Sequence, residues 1–166
     1  MKSTQKTAYF GAMLGLAIIC GYVEMLIPFD FGVPGIKLGL ANIVALVILY
    51  KNGFLPALAV NIARVLLVGI LFGNAMGIAY ALCGGILSLI VMCLLKKAPV
   101  FSTVGVSVAG AAAHNIGQLS AALPIIGLKA VIFYLPFLLL AAVVTGFLVG
   151  LGAALIIKRV RLSKSR

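Results

Sequence analysis

The sequence predicts an all-α integral membrane protein, a compact bundle of six transmembrane helices with both termini in the cytoplasm. Three observations lead there. Of 166 residues, 64% are apolar and only 9% charged, against roughly 45–50% and about 25% in soluble domains. Thirteen Lys/Arg and two Asp/Glu cannot cover a water-exposed surface of this size, so a water-soluble enzyme is excluded. The apolar residues also run on for span-like lengths between Gly, Pro and Asn breakers, and the basic residues gather in alternate breaks.

A span needs about 20 apolar residues. Helix 1 is expected at about 7–27. Its basic MKSTQK leader imitates a signal peptide, but the run lacks an A-x-A site and leads into further spans. Helix 2, at 38–50, is too short to cross alone, and the FDFGVPGIK stretch before it is expected to lie in the interface or dip into the protein. Helix 3 follows at 54–72, helix 4 at 75–95, helix 5 at 104–123 and helix 6 at 130–157. A basic cytoplasmic tail, 158–166, completes a single domain, 1–166. The breaks fall at Pro28 to Gly35, Lys51-Asn-Gly, Gly73-Asn74, Lys96-Lys97-Ala-Pro99, and Leu123-Pro124 through Lys129.

With the N-terminus inside, the cytoplasmic segments hold Lys2, Lys6, Lys51, Lys96, Lys97, Lys158, Arg159, Arg161, Lys164 and Arg166, and the outer loops hold Lys37 and Lys129. Only Arg64 stands within a span. The positive-inside rule therefore places both ends in the cytoplasm, which needs an even number of spans. A net charge of +11 does not argue for nucleic acid, because that requires basic residues on a folded polar face. Cys20, Cys83 and Cys93 stand singly in apolar runs and read as small buried hydrophobes.

Small residues mark expected packing faces, since close approach replaces the hydrophobic drive in lipid. Helix 5 has a ladder at Gly105, Ala109, Ala113, Gly117 and Ala121, and helix 6 has Gly146-x3-Gly150. In helix 1, Ala8-x3-Ala12 near the cytoplasmic end is the best candidate for docking another membrane subunit, the alternative being internal packing.

Polar groups inside spans are costly and usually functional. Given this orientation, Glu24, Asn42, Asn61, Arg64, His114, Asn115 and Gln118 gather near or beyond the midplane on the outer side, where Tyr134 opens helix 6. The inner half is nearly pure hydrocarbon apart from hydroxyls such as Ser88, Ser107 and Thr145. The asymmetry suggests an outward-opening polar cavity for a small polar or anionic ligand. His114 and Gln118, four apart, share one helical face, and the Arg64 fork suits a carboxylate or phosphate. Two alternatives stay open: a structural Arg64–Glu24 pair, and an ion or proton path. The chain has no phosphate-binding G-x4-GK[ST] loop, no Cys/His metal cluster and no nucleophile–base set, so no catalytic residue, metal ligand or cofactor is assigned.

PGIKLGLANIV (34–44), NIARVLLVGILFGN (61–74), GGILSLIVMCLLKK (84–97), GVSVAGAAAHNIGQL (105–119) and YLPFLLLAAVVTG (134–146) resemble the bacterial Gx transporter family, also labelled heptaprenyl diphosphate synthase component I. That family in turn is similar to the substrate-binding S components of energy-coupling-factor (ECF) importers. The resemblance implies six helices, an outward-facing ligand site, and an AxxxA motif on helix 1 that docks a transmembrane coupling subunit served by cytoplasmic ATPases. The Asp-rich motifs of prenyl diphosphate synthases are missing, so the enzymatic label implies at most an associated membrane component, alongside polyprenyl diphosphate or isoprenoid quinone synthesis or a flavin- or quinone-linked redox system.

Overall fold

The computed structural model describes residues 3–26 and 39–159. The FDFGVPGIK stretch before helix 2, with Asp30 and Lys37, lies outside the described residues. So do Lys2 and the tail from 160 onward.

All regular structure among the described residues is helical: α1 (Ser3–Leu26), α2 (Leu40–Asn52), α3 (Phe54–Phe72), α4 (Ala75–Lys96) and α5 (Thr103–Arg159). Four of these are long and apolar enough to cross a membrane, α2 being the shorter apolar exception. Length and composition make the chain a multi-pass membrane protein.

The helix ends follow local chemistry. Gly53 separates α2 from α3 at φ 98°, a left-handed backbone that only glycine adopts cheaply. Asn74 caps α4, its Oδ1 accepting from the Gly77 N–H at 2.8 Å, which supplies one of the partners the first turn lacks.

Residues 103–159 would extend about 85 Å as a straight helix, far beyond a hydrocarbon core of about 30 Å. They do not run straight. Gly127, at φ 77° and ψ 161°, interrupts the helix, and the chain folds back into two antiparallel arms. Asn115 meets Leu138, while Gly146 lies against Val108 and Gly150 against Val104. These pairs are nearly symmetric about 127. The reversal is thus a single glycine, where the sequence suggests a longer break over 123–129. Pro124 is accommodated within the helix.

The central element is α2. Val44 through Leu49 are consecutively buried, so the helix is enclosed on every side, and it touches α1, α3, α4 and α5. Around it pack Ala17, Ala57, Val60, Leu89, Met92, Val106 and Ala153. Phe10 near one chain end and Ile157 near the other lean on this same cluster, so both described ends lie at one end of the bundle. At that end the Lys96 ammonium donates to the Leu49 carbonyl at 2.7 Å and sits over the Tyr50 ring. A cation here complements the α2 C-terminus. The Tyr9 hydroxyl donates to Asn52 Oδ1 at 3.2 Å, fastening α1 beside it.

The α4–α5 seam is built on glycines. A Cβ on Gly117 would stand 2.7 Å from the Cys83 carbonyl oxygen, and one on Gly110 would stand 2.5 Å from Met92 Cγ. Gly84 and Gly85 on α4 are buried. The close-approach positions therefore combine part of the expected ladder with Gly110 and with glycines on the facing helix.

Candidate functional site

A cavity of about 100 Å³ runs through the bundle and takes lining residues from all five helices, including both arms of α5. Glu24, Asn42, Arg64, His114, Asn115 and Gln118 all line it. Six of the seven polar residues singled out from the sequence thus meet in one space. For scale, an engineered apolar cavity of about 150 Å³ takes up benzene, and polar cavities of this order hold ordered water.

Asn61 is the seventh, and it stands behind the cavity. It is 3% exposed, and its Oδ1 accepts from Arg64 Nη2 at 2.8 Å. Since the residues are three apart on α3, the amide and the guanidinium share a helical face. This bond fixes the amide so that Nδ2 faces α4 at Gly85, where a Cβ would stand 2.5 Å away. Nδ2 has no hydrogen-bond partner among the described residues. Gly85 is therefore a positional requirement, because any larger residue would displace the side chain that holds Arg64. Gly21 on α1 packs most closely on Val68, whose Cγ2 would stand 3.3 Å from a Cβ there, with the Arg64 stem beside it in ordinary contact at 3.8 Å.

Glu24 lies within coulombic reach of Arg64, yet it has another task. Its carboxylate accepts from the Leu40 N–H at the start of α2. An acceptor anion there satisfies an orphan donor and complements the helix dipole. It supplies the cap that Gly39, left-handed at φ 75° and lacking a side chain, cannot.

Asn115 is also partly committed, donating from Nδ2 to the Leu138 carbonyl at 2.7 Å across the α5 arms. His114 and Gln118 pack one turn apart over Gly84, where a Cβ would approach His114 O and Gln118 Cγ to 2.8 Å. The glycine lets these two side chains reach the cavity from a helix lying almost in backbone contact with α4.

The cavity reaches deeper than the polar layer expected from the sequence. Its walls include Leu46, Ser88, Met92, Ser107 and Val149, and Ser107 lies two turns, about 10 Å, along α5 from His114. Ser88 and Ser107, noted in the sequence only as exceptions in a hydrocarbon half, are cavity residues. No signal separates a cavity-facing serine from one bonded back to its own helix, so the sequence could not assign them.

Among the described residues no His, Cys, Asp or Glu cluster could hold a metal ion. The donor set instead suits hydrogen bonding and one anionic contact: a guanidinium, an imidazole, three amides and three hydroxyls around apolar walls.

Ala8, Gly11 and Ala12 form an open face on α1. All are exposed, and a Cβ on Gly11 or Gly15 would meet nothing within 4 Å. No described part of this chain covers them.

A family model described as heptaprenyl diphosphate synthase component I matches residues 13–156. The chain belongs to this family. No curated protein and no solved structure matches the chain. The family match takes in every cavity-lining residue, and it begins one residue after Ala12.

Proposed function

We propose that this chain is the substrate-binding subunit of an ECF-type importer in a bacterial plasma membrane. The observation that carries the reading is the convergence of Glu24, Asn42, Arg64, His114, Asn115 and Gln118 on one cavity. Polar groups in apolar helices cost several kcal/mol unless they are paired or used. Six spans with both ends inside, as the basic residues imply, put the cavity's Arg64 end toward the outside and the Lys96 end toward the cytoplasm. A small ligand would enter from the outer side and be held by the Arg64 guanidinium and the amides. Ala8 and Ala12 would dock a transmembrane coupling subunit, itself driven by cytoplasmic ATPases. The chain brings no ATP-binding loop of its own. Native mass spectrometry of the gently purified protein tests this directly. The expected result is a copurified small molecule together with coupling and ATPase subunits. Purification alone and empty, from membranes holding such subunits, would refute it.

The family description favours a second reading: a non-catalytic membrane component that recruits a soluble enzyme of polyprenyl diphosphate synthesis. Two acidic residues in the whole chain cannot build the paired metal-binding carboxylates such a synthase uses. The chain would serve as scaffold, its basic tail contacting the enzyme or anionic lipid at about 1 kcal/mol per cation. Neutralising Arg159, Arg161, Lys164 and Arg166 should abolish enzyme recruitment under this reading and spare ligand capture under the first.

A further inference from the structure

The connection between α4 and the first arm of α5 is a tight turn of uncommon composition. The Phe101 N–H donates to the Ala98 carbonyl at 3.3 Å, closing a four-residue turn with Pro99 and Val100 at its centre. Pro suits the second position of such a turn. Turns in water otherwise favour Gly, Asn, Asp and Ser, whereas this one presents Val100, 87% exposed, and Phe101, 46% exposed. Val100 is the most exposed large hydrophobic residue among those described. The turn is also firmly held. Ser102 Oγ accepts from the Gly105 N–H at 3.1 Å, capping the helix that follows, and Phe101 Cδ1 lies 3.8 Å from the Cβ position of Gly105. Two apolar side chains are thus held out from the end of the bundle with little left to order on contact with a partner.

Their depth narrows what that partner is. The 22 residues of α4 extend about 33 Å, slightly more than a hydrocarbon core of about 30 Å. The turn beyond Lys96 therefore reaches the headgroup region, not the acyl region that covers the apolar helix faces.

Charge narrows it further. Lys6, Lys51, Lys97, Lys158 and Arg159 stand at this end, each exposed or partly so, gathered by the Tyr9–Asn52 and Lys96–Leu49 bonds. Glu24, the one acidic residue among those described, lies at the opposite end of α2, against Leu40. Lys96 is engaged by backbone carbonyls, while Lys97, at the foot of the turn, is exposed. An acidic protein surface would answer the cations alone. Anionic phospholipid answers both features, its phosphates meeting the lysines and its glycerol–acyl boundary taking up Val100 and Phe101.

We infer that the 98–101 turn is an anchor for anionic phospholipid, with Val100 and Phe101 inserted at the headgroup boundary and Lys97 on the phosphates. The inference uses neither the cavity nor the Ala8–Ala12 face, so it stands apart from the importer reading.

The chain contains no tryptophan, so Phe101→Trp installs a single fluorescent reporter, with Val100→Trp as the second position should the first not fold. The reporter is read in nanodiscs holding equal amounts of phosphatidylglycerol and phosphatidylcholine, with one lipid or the other brominated. Emission should be blue-shifted and shielded from acrylamide. Brominated phosphatidylglycerol should be enriched about fivefold over brominated phosphatidylcholine at the reporter, the preference expected from one cation near the surface. Lys97→Gln should lower that preference and leave the blue shift in place. Water-like emission, quenched by acrylamide and by neither lipid, would overturn the anchor and make the turn a site for a protein partner. Blue-shifted emission quenched equally by both lipids would overturn the anionic preference.

Discussion

Asn115 Nδ2 donates to the Leu138 carbonyl at 2.7 Å, joining the two arms of α5 across the bundle. A cavity-lining amide therefore also closes the hairpin that Gly127 opens. Pro136, two residues before Leu138, cannot donate to the helix ladder, so this crossing bond sits where the second arm is locally weakened.

Asn115→Leu should consequently cost stability before it costs binding. Losing the donor leaves Leu138 O with less than its full complement, and about 1–2 kcal/mol is the expected loss. Thermal unfolding in detergent reads it out. Unchanged unfolding would assign the Asn115 amide to ligand alone.

Glu24 and Arg64 should separate on mutation. Glu24→Gln keeps an oxygen for the Leu40 N–H and is expected to stay near wild-type stability, whereas Glu24→Ala orphans that donor at about 1–3 kcal/mol. Arg64→Gln removes a costly intramembrane cation, so apo stability should hold or rise while ligand-induced stabilisation disappears. Comparable losses in both apo Gln variants, with ligand binding intact, would identify the pair as purely structural.

Glycine positions supply a paired comparison. Gly117→Ala forces a methyl to 2.7 Å from backbone atoms of α4, which cannot swing aside, and overpacking of this kind typically costs 1–3 kcal/mol. Gly11→Ala meets nothing within 4 Å, so the isolated protein should tolerate it. Gly11→Leu should leave the isolated fold intact and weaken any complex formed through the Ala8–Ala12 face. Melting temperature and pull-down of partner subunits distinguish the two effects.

Lys96→Met removes the ammonium from the Leu49 and Tyr50 carbonyls while keeping an apolar stem. About 1 kcal/mol of destabilisation is expected, from the lost charged cap at the end of α2. Lys96→Arg should recover part of it.

Topology is checked with single cysteines in a background without Cys20, Cys83 and Cys93. Impermeant reagent applied from outside should label position 129 and leave position 97 unlabelled. The reverse pattern would invert the bundle and place the Arg64 end of the cavity in the cytoplasm.

The helical class was legible because apolar composition leaves few other solutions, and the polar cluster was legible because such residues are rare within apolar helices and conspicuous when they occur. What the residues do once assembled was less accessible. Glu24 caps a helix that starts sixteen residues later, and no local pattern announces that. Asn61 looks like a ligand residue until its packing behind Arg64 is seen. Ser88 and Ser120 are indistinguishable in sequence, yet one faces a cavity and the other its own backbone. Pro124 suggested the break, but Gly127 makes the turn, because only a left-handed residue reverses a helix so abruptly.

The enclosure of α2 also bears on how the protein is made. Thirteen residues extend about 20 Å, too little to bridge the hydrocarbon by themselves, and the partners that bury Val44 through Leu49 include Val106 and Ala153, which are synthesised long after them. The segment cannot be stably housed by lipid while it waits. Its integration is thus tied to completion of the C-terminal hairpin, and a chain truncated before α5 should be recognised by membrane quality control as unassembled, however apolar its earlier helices.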